Sequence, residues 1–227
     1  MRPGAEVCLV HLHGSEVNAR KVMGAHAAQS CANALWLEDA RDGAPWGDDR
    51  IPVPSATNET RKCSVNPNRV LTPAAFAHRI GFDCDGDETA AAALRAFLDE
   101  HLLPALARCR RGDQRLPVIA YHNNSRLTVG DFDARAATSV LGRESDILLV
   151  TTEADYRALT ALGRFSTVLQ SAPPADDGSL SVLLQGERYL NVEAQIAPAN
   201  KPVNGAMSEA ALRAVGAWRC GPDDAVP

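Results

Sequence analysis

The stretch LVHLHGSEVNAR, residues 9 to 20, sets two histidines and a glutamate within six positions. Imidazole and carboxylate are ligands for a divalent cation. A catalytic zinc takes three protein side chains and keeps a further position for water. His13 and Glu16 are three apart across a strand-to-helix turn, and Gly14 lets the backbone bend so that both can aim at one point. His11 and His13 offer a rival pairing, since residues two apart on a strand share a face. That pairing suits a barrel-type metal hydrolase, a fold of about 250 residues. Only one histidine follows position 101, so the His13–Glu16 pair is preferred and His11 is read as a strand histidine satisfied by hydrogen bonds.

A third ligand must end a different strand. His122 follows the apolar run PVIAY and precedes Asn123, Asn124 and Ser125, a polar cluster suited to contacting substrate. His26 and His101 lie in helical patterns and His78 in an Ala-rich segment, where a packing or surface role is the ordinary outcome. Glu193 sits in RYLNVEAQ, a half-buried strand pattern in which a carboxylate costs free energy unless paired or functional. Beside a water whose pKa zinc brings to about 7, it could accept a proton. The plain alternative is an edge-strand glutamate facing solvent. In CSVNPNRVLTP, residues 63 to 73, Asn68 and Arg69 are adjacent. The planar guanidinium fits a carboxylate by two bonds; the alternative is a turn with an exposed arginine.

The elements that must position these residues alternate. Strands are expected at 7–12, 34–39, 117–122, 146–150 and 165–170, and in SLSVLLQ and RYLNVEAQ. Helices are expected from Glu16, with Ser15 as its N-cap, to about Ala34, and from Glu88 to Arg110 with Pro104 bending or splitting it. Two more are expected at 153–162 and 208–218. Val17, Gly24, Ala28 and Cys31 fall near one face of the first helix. About two dozen residues after position 39 read as a long loop. The alternation predicts an α/β fold with a mixed, mainly parallel sheet between helices, whose sites form at the carboxyl ends of strands.

The 227 residues, 45% hydrophobic, suffice for one core, and a single domain over 1–227 is expected. A net charge of −5 and no Lys/Arg run longer than two argue against nucleic acid as a partner. No window approaches the roughly 18 apolar residues of a membrane span. The N-terminus has no apolar stretch or cleavage site of a signal peptide, which fits either a chain not exported by that route or a trimmed one. Of six cysteines none forms a C-x-x-C pair. Cys8 and Cys31 read as buried small hydrophobes, and Cys63 and Cys84 as a pair that could bond in an oxidising compartment.

The order H-x-x-E, N-R, strand-ending His and late strand Glu resembles the zinc carboxypeptidase superfamily, including the aspartoacylase and succinylglutamate desuccinylase deacylases. LHGSE looks like its zinc motif, NPNR like its D-x-N-R motif, AYHNNS like its third-ligand strand and NVEAQ like the strand of its catalytic glutamate. The resemblance implies Zn2+ held by His13, Glu16 and His122, Glu193 as the base, and Asn68 and Arg69 on the substrate. It also implies that fold. Asn66 replaces an aspartate that orients a zinc histidine, a task its carbonyl could perform with less charge. Arg61 or Lys62 would supply a further cation, and Tyr189 or Tyr121 a substrate-capping phenol. The activity implied is amide hydrolysis in short peptides, with bacterial wall peptides as one class. The alternatives are deacylation of small N-acyl amino acids, or a zinc-containing binding module without turnover.

Overall fold

The continuous apolar runs VCLV and VIAY can be buried only where a sheet is covered on both faces. The computed structural model describes residues 4–37, 50–53, 63–83, 88–111, 113–132, 134–141, 143–170, 175–196 and 201–218. Seven strands form the main sheet: β1 (Val7–His11), β2 (Ala32–Trp36), β3 (Val118–Asn124), β4 (Arg135–Ala137), β5 (Ile147–Val150), β6 (Ser166–Leu169) and β7 (Tyr189–Gln195). Their order is β2-β1-β3-β7-β5-β6-β4. The first four in that order are mutually parallel. β5 runs antiparallel to β7, β6 runs parallel to β5, and β4 runs antiparallel to β6. The protein is therefore α/β with a mixed, mainly parallel sheet. Among the described residues the sheet has β2 and β4 at its two ends and does not close into a barrel, the fold that the His11–His13 pairing suits.

Side chains alternate between two buried layers. Val7, Leu9, Ile119, Tyr121, Leu190 and Val192 pack on one face against three helices: α1 (Val17–Gln29), α3 (Glu153–Leu162) and α4 (Lys201–Ala214). Cys8, Val10, Val118, Ala120 and Tyr189 face the other layer, under α2 (Glu88–Phe97), its continuation and the chain around Val65–Leu71. A π turn over Leu98–Leu102 joins α2 to a further helical segment, Leu103–Ala107. Pro104 cannot donate a backbone hydrogen bond into the preceding turn, so the helix changes its winding there instead of running straight.

Several boundaries differ from the sequence expectation. α1 ends at Gln29, where Ser30 Oγ and the Ser30 N–H both donate to the His26 carbonyl, and β2 begins at Ala32. The buried face of α1 is Ala19, Val22, Met23 and His26, whereas Gly24 and Ala28 are exposed. SLSVLLQ contains no strand but a short helix, Leu180–Leu183. α4 starts at Lys201, seven residues before the expected start, and ends by Gly216, whose φ of 82° the helix cannot continue through. Within the expected loop, Ile51–Val53 pairs with Cys63–Val65.

Cys8 is not a free thiol. It bonds to Cys109 across 101 residues, tying β1 to the chain after the Leu103–Ala107 segment. Closing so long a loop stabilises the fold by about 2–4 kcal/mol. Cys31 is also disulfide-bonded. Cys84 lies outside the described residues, as do Arg61 and Lys62. Among the described residues no helix is long and apolar enough to cross a membrane.

Candidate active site

The carboxyl ends of β1, β3 and β7 converge. In the parallel β3–β7 ladder His122 stands opposite Glu193, and Ala120 opposite Asn191. With a period of two, His122 and Glu193 share the face of Ala120 and Asn191. β1 runs out through Leu12 and turns at Gly14, where the Glu16 N–H donates to the His13 carbonyl at 3.2 Å. Glu16 is the N-cap of α1, displacing Ser15 from that role, but its side chain makes no capping hydrogen bond. The carboxylate instead reaches His122, with Oε2 3.2 Å from Nδ1, and lies 3.9 Å from His11 Nε2. The His13 and His122 rings are 5.1 Å apart between centroids, tilted by 60°. All three histidines are buried. The end of β3 is fixed from α4, where Asn204 Nδ2 donates to the His122 carbonyl and Ser208 Oγ to Asn204 Oδ1.

His11 was read as an ordinary strand residue, yet it belongs to this cluster. Burial, followed by the neighbouring His122, lowers its pKa to about 3, so it is a neutral imidazole at any physiological pH. The H-x-H spacing was its signal. Glu193 is half-buried, on a central strand rather than an edge. Burial raises its pKa and the Glu16 carboxylate adds to that; His122, a hydrogen bond from Asn191 and Arg69 oppose it.

Glu193 opens onto a cleft of about 290 Å³ whose lining includes Asn68, Arg69, Asp177, Tyr189 and Asn191. Residues remote in sequence therefore meet there. Arg69 pairs with Asp177 in a partly exposed ion pair, the kind that contributes little stability and yields readily to a competing carboxylate. Asn68 Oδ1 accepts from the Leu180 N–H at 2.8 Å, which leaves its amide nitrogen as the group for a ligand. Asn66 Oδ1 is occupied by the Asn68 N–H at 2.9 Å, capping the Pro67–Arg69 turn. Asn123 stands apart from the cleft. Its Oδ1 accepts from the Ala19 N–H and its Nδ2 donates to the Ala194 carbonyl, which ties α1 to β3 and β7. Tyr121 bonds His26 Nδ1 through its hydroxyl, in the layer under α1. Tyr189 lines the cleft but is 1% exposed, too enclosed to swing over a ligand.

Two glycines set the place of Arg69. A Cβ at Gly178 (φ +73°) would stand 2.4 Å from the Arg69 carbonyl oxygen, and one at Gly81 (φ +90°) 2.6 Å from Arg69 Cβ. The Leu71 N–H donates to the Gly178 carbonyl, joining the two loops. Gly178→Ala combines a strained φ with a backbone collision, and the cost is about 1–3 kcal/mol. We expect it to lower Tm and to raise KM for carboxylate-bearing substrates about tenfold while kcat changes less. An unchanged KM would disconnect this loop contact from the binding role of Arg69.

Two imidazoles and one carboxylate, gathered at the ends of two strands and a helix start, form a donor set suited to zinc. The fit can be tested on one distance. Ligand atoms of a tetrahedral site with bonds of about 2.1 Å lie about 3.4 Å apart, close to the 3.2 Å between Glu16 Oε2 and His122 Nδ1. Among the described residues no group of three His, Cys, Asp or Glu side chains is already arranged to hold a metal; the fit is of donor chemistry and this one edge. Asn191 and Asp177 were not foreseen. No protein-family model matches the chain, and no curated protein matches it.

Proposed function

We propose that the protein is a zinc-dependent amide hydrolase of short peptides, with the fold of the zinc carboxypeptidases. The observation that carries the reading is the meeting of Glu16 and His122 at 3.2 Å, with Glu193 standing opposite His122 in the ladder and itself lining the cleft that holds Arg69. His13, Glu16 and His122 would hold the metal. Zinc in such a site supplies Lewis acidity, bringing a water's pKa to about 7. Glu193, raised in pKa by burial, takes a proton from the attacking water and returns it to the leaving amine. Arg69 exchanges Asp177 for the substrate's terminal carboxylate or holds the oxyanion, and Asn68 adds a donor. A cleft of about 290 Å³ accommodates a short substrate. That volume also admits a small N-acyl amino acid, which makes deacylation the second reading. The purified protein should contain about one zinc per chain and hydrolyse part of a panel of L- and D-peptides, wall stem peptides, and N-acetyl and N-succinyl amino acids. Zinc without turnover on any of them would favour a binding module, and absence of zinc would end the reading.

A further inference from the structure

Asn191 lies two residues before Glu193 on the same face of β7, and both line the cleft. It is 9% exposed. Its Nδ2 donates to Glu193 Oε1 at 3.0 Å. Because an ionised carboxylate only accepts, this contact sets which end of the amide faces Glu193 and turns Oδ1 away from it. Oδ1 is buried and has no hydrogen-bond partner among the described residues. The cross-strand neighbours cannot supply one, since Asn191 stands between the side chains of Ala120 and Leu149. A buried amide oxygen is a costly group to leave unsatisfied, and the residue that carries it is part of the cleft wall.

Resting on the amide-hydrolase reading, we propose that Asn191 is a positioning and specificity-determining residue: Nδ2 holds the Glu193 carboxylate, and Oδ1 accepts a hydrogen bond from a substrate N–H beside the bond that is cut. The site thereby selects secondary amides over analogues that lack that N–H. A site built to bond a donor rejects the analogue without it far more strongly than an apolar pocket rejects a misfit.

The test compares a peptide substrate with depsipeptide and N-methyl analogues in which each candidate N–H is replaced in turn. Taking the ratio of variant to wild type on each compound cancels intrinsic reactivity. Asn191→Leu should lower kcat/KM about 100-fold on the peptide but only about 10-fold on the analogue that lacks the bonded N–H. Asn191→Asp keeps the outline but sets a second carboxyl where the amide stood, 3.0 Å from Glu193, and two carboxyls so close share a proton and blunt the base. Its defect should fall on kcat with KM nearly kept. Zinc content and Tm establish that each variant folds, and Asn191→Ala, assayed on the same compounds, carries the test if the Leu variant does not fold. Equal losses on every compound, or Asn191→Leu within twofold of wild type, would overturn the inference while leaving the hydrolase reading standing. Absence of turnover by wild type on the whole panel would overturn both.

Discussion

Glu193→Gln should lower kcat by about 10³-fold, within the range that removal of a general base produces, while zinc content stays at the wild-type level. The two halves separate the roles. Glu193 is beside the donor set without being part of it, since its neighbour across the ladder is His122 and its hydrogen-bond partner is Asn191. An amide replaces the carboxylate with the same outline and still fills the cleft wall, but it cannot take a proton. KM should change little, because Arg69 and Asn68 are untouched. Wild-type turnover in this variant would remove Glu193 from the chemistry, and loss of zinc would make it a ligand instead of a base.

The same substitution has a consequence for stability that requires no substrate. In the metal-free chain, burial holds the Glu193 carboxyl above its ordinary pKa of 4.5. A group raised in the folded state releases its proton more readily on unfolding. Its stabilising contribution is therefore full below the ordinary value and is lost as pH rises through the folded value, each unit of difference being worth about 1.4 kcal/mol. Glutamine cannot ionise. Chelator-treated Glu193→Gln should match wild type in Tm at pH 4, exceed it increasingly as pH rises through the raised folded value, and keep a level advantage above that. A bound cation favours the ionised carboxylate and should shrink the difference. A constant offset across the pH range would mean that the gain comes from packing and not from the charge.

The residues proposed for the site carry local sequence signals, whereas several elements are fixed by contacts far along the chain. His13 and His122 follow or end apolar strand runs and Glu16 opens a helix, positions that composition marks clearly, and Glu193 is a carboxylate in an apolar strand. Asn191 carries a similar signal, a polar side chain at the same parity, but no charge to mark it. The strand expected at SLSVLLQ failed because a short apolar run suits either conformation. It is settled by Gly178 and by Asn68 Oδ1, which accepts from the Leu180 N–H 112 positions away. The early start of α4 was hidden by Pro202, Asn204 and Gly205, which read as helix breakers. Proline is tolerated in a first turn, and Asn204 serves by bonding the His122 carbonyl. Asp177 opposite Arg69 and Cys109 opposite Cys8 have no local signature at all, since their partners are 108 and 101 residues away.

His122→Ala should reduce bound zinc from about one equivalent to less than a tenth and abolish hydrolysis, because removing one of three donors weakens a site whose affinity comes from their joint action by about 10³-fold or more. Thermal unfolding makes this measurable without an assay. A ligand that binds only the folded chain stabilises it by about 4.1 kcal/mol at 1,000 times its Kd, which for a domain of this size raises Tm by roughly 8–16 °C. Wild type should show that rise on adding zinc after chelation, and His122→Ala should show almost none. Truncation also leaves a void at a buried position, so the variant's metal-free Tm must be the baseline for its own zinc response. The rise should shrink in wild type as pH falls, since imidazole must lose its proton to bind. His11→Gln is the companion measurement. His11 lies 3.9 Å from Glu16, against 3.2 Å for His122, and should leave most of the zinc response in place. If His11→Gln removed the response and His122→Ala kept it, the metal would belong to the two histidines of β1 and the turn after it, and the partner assigned to Glu193 across the ladder would be lost.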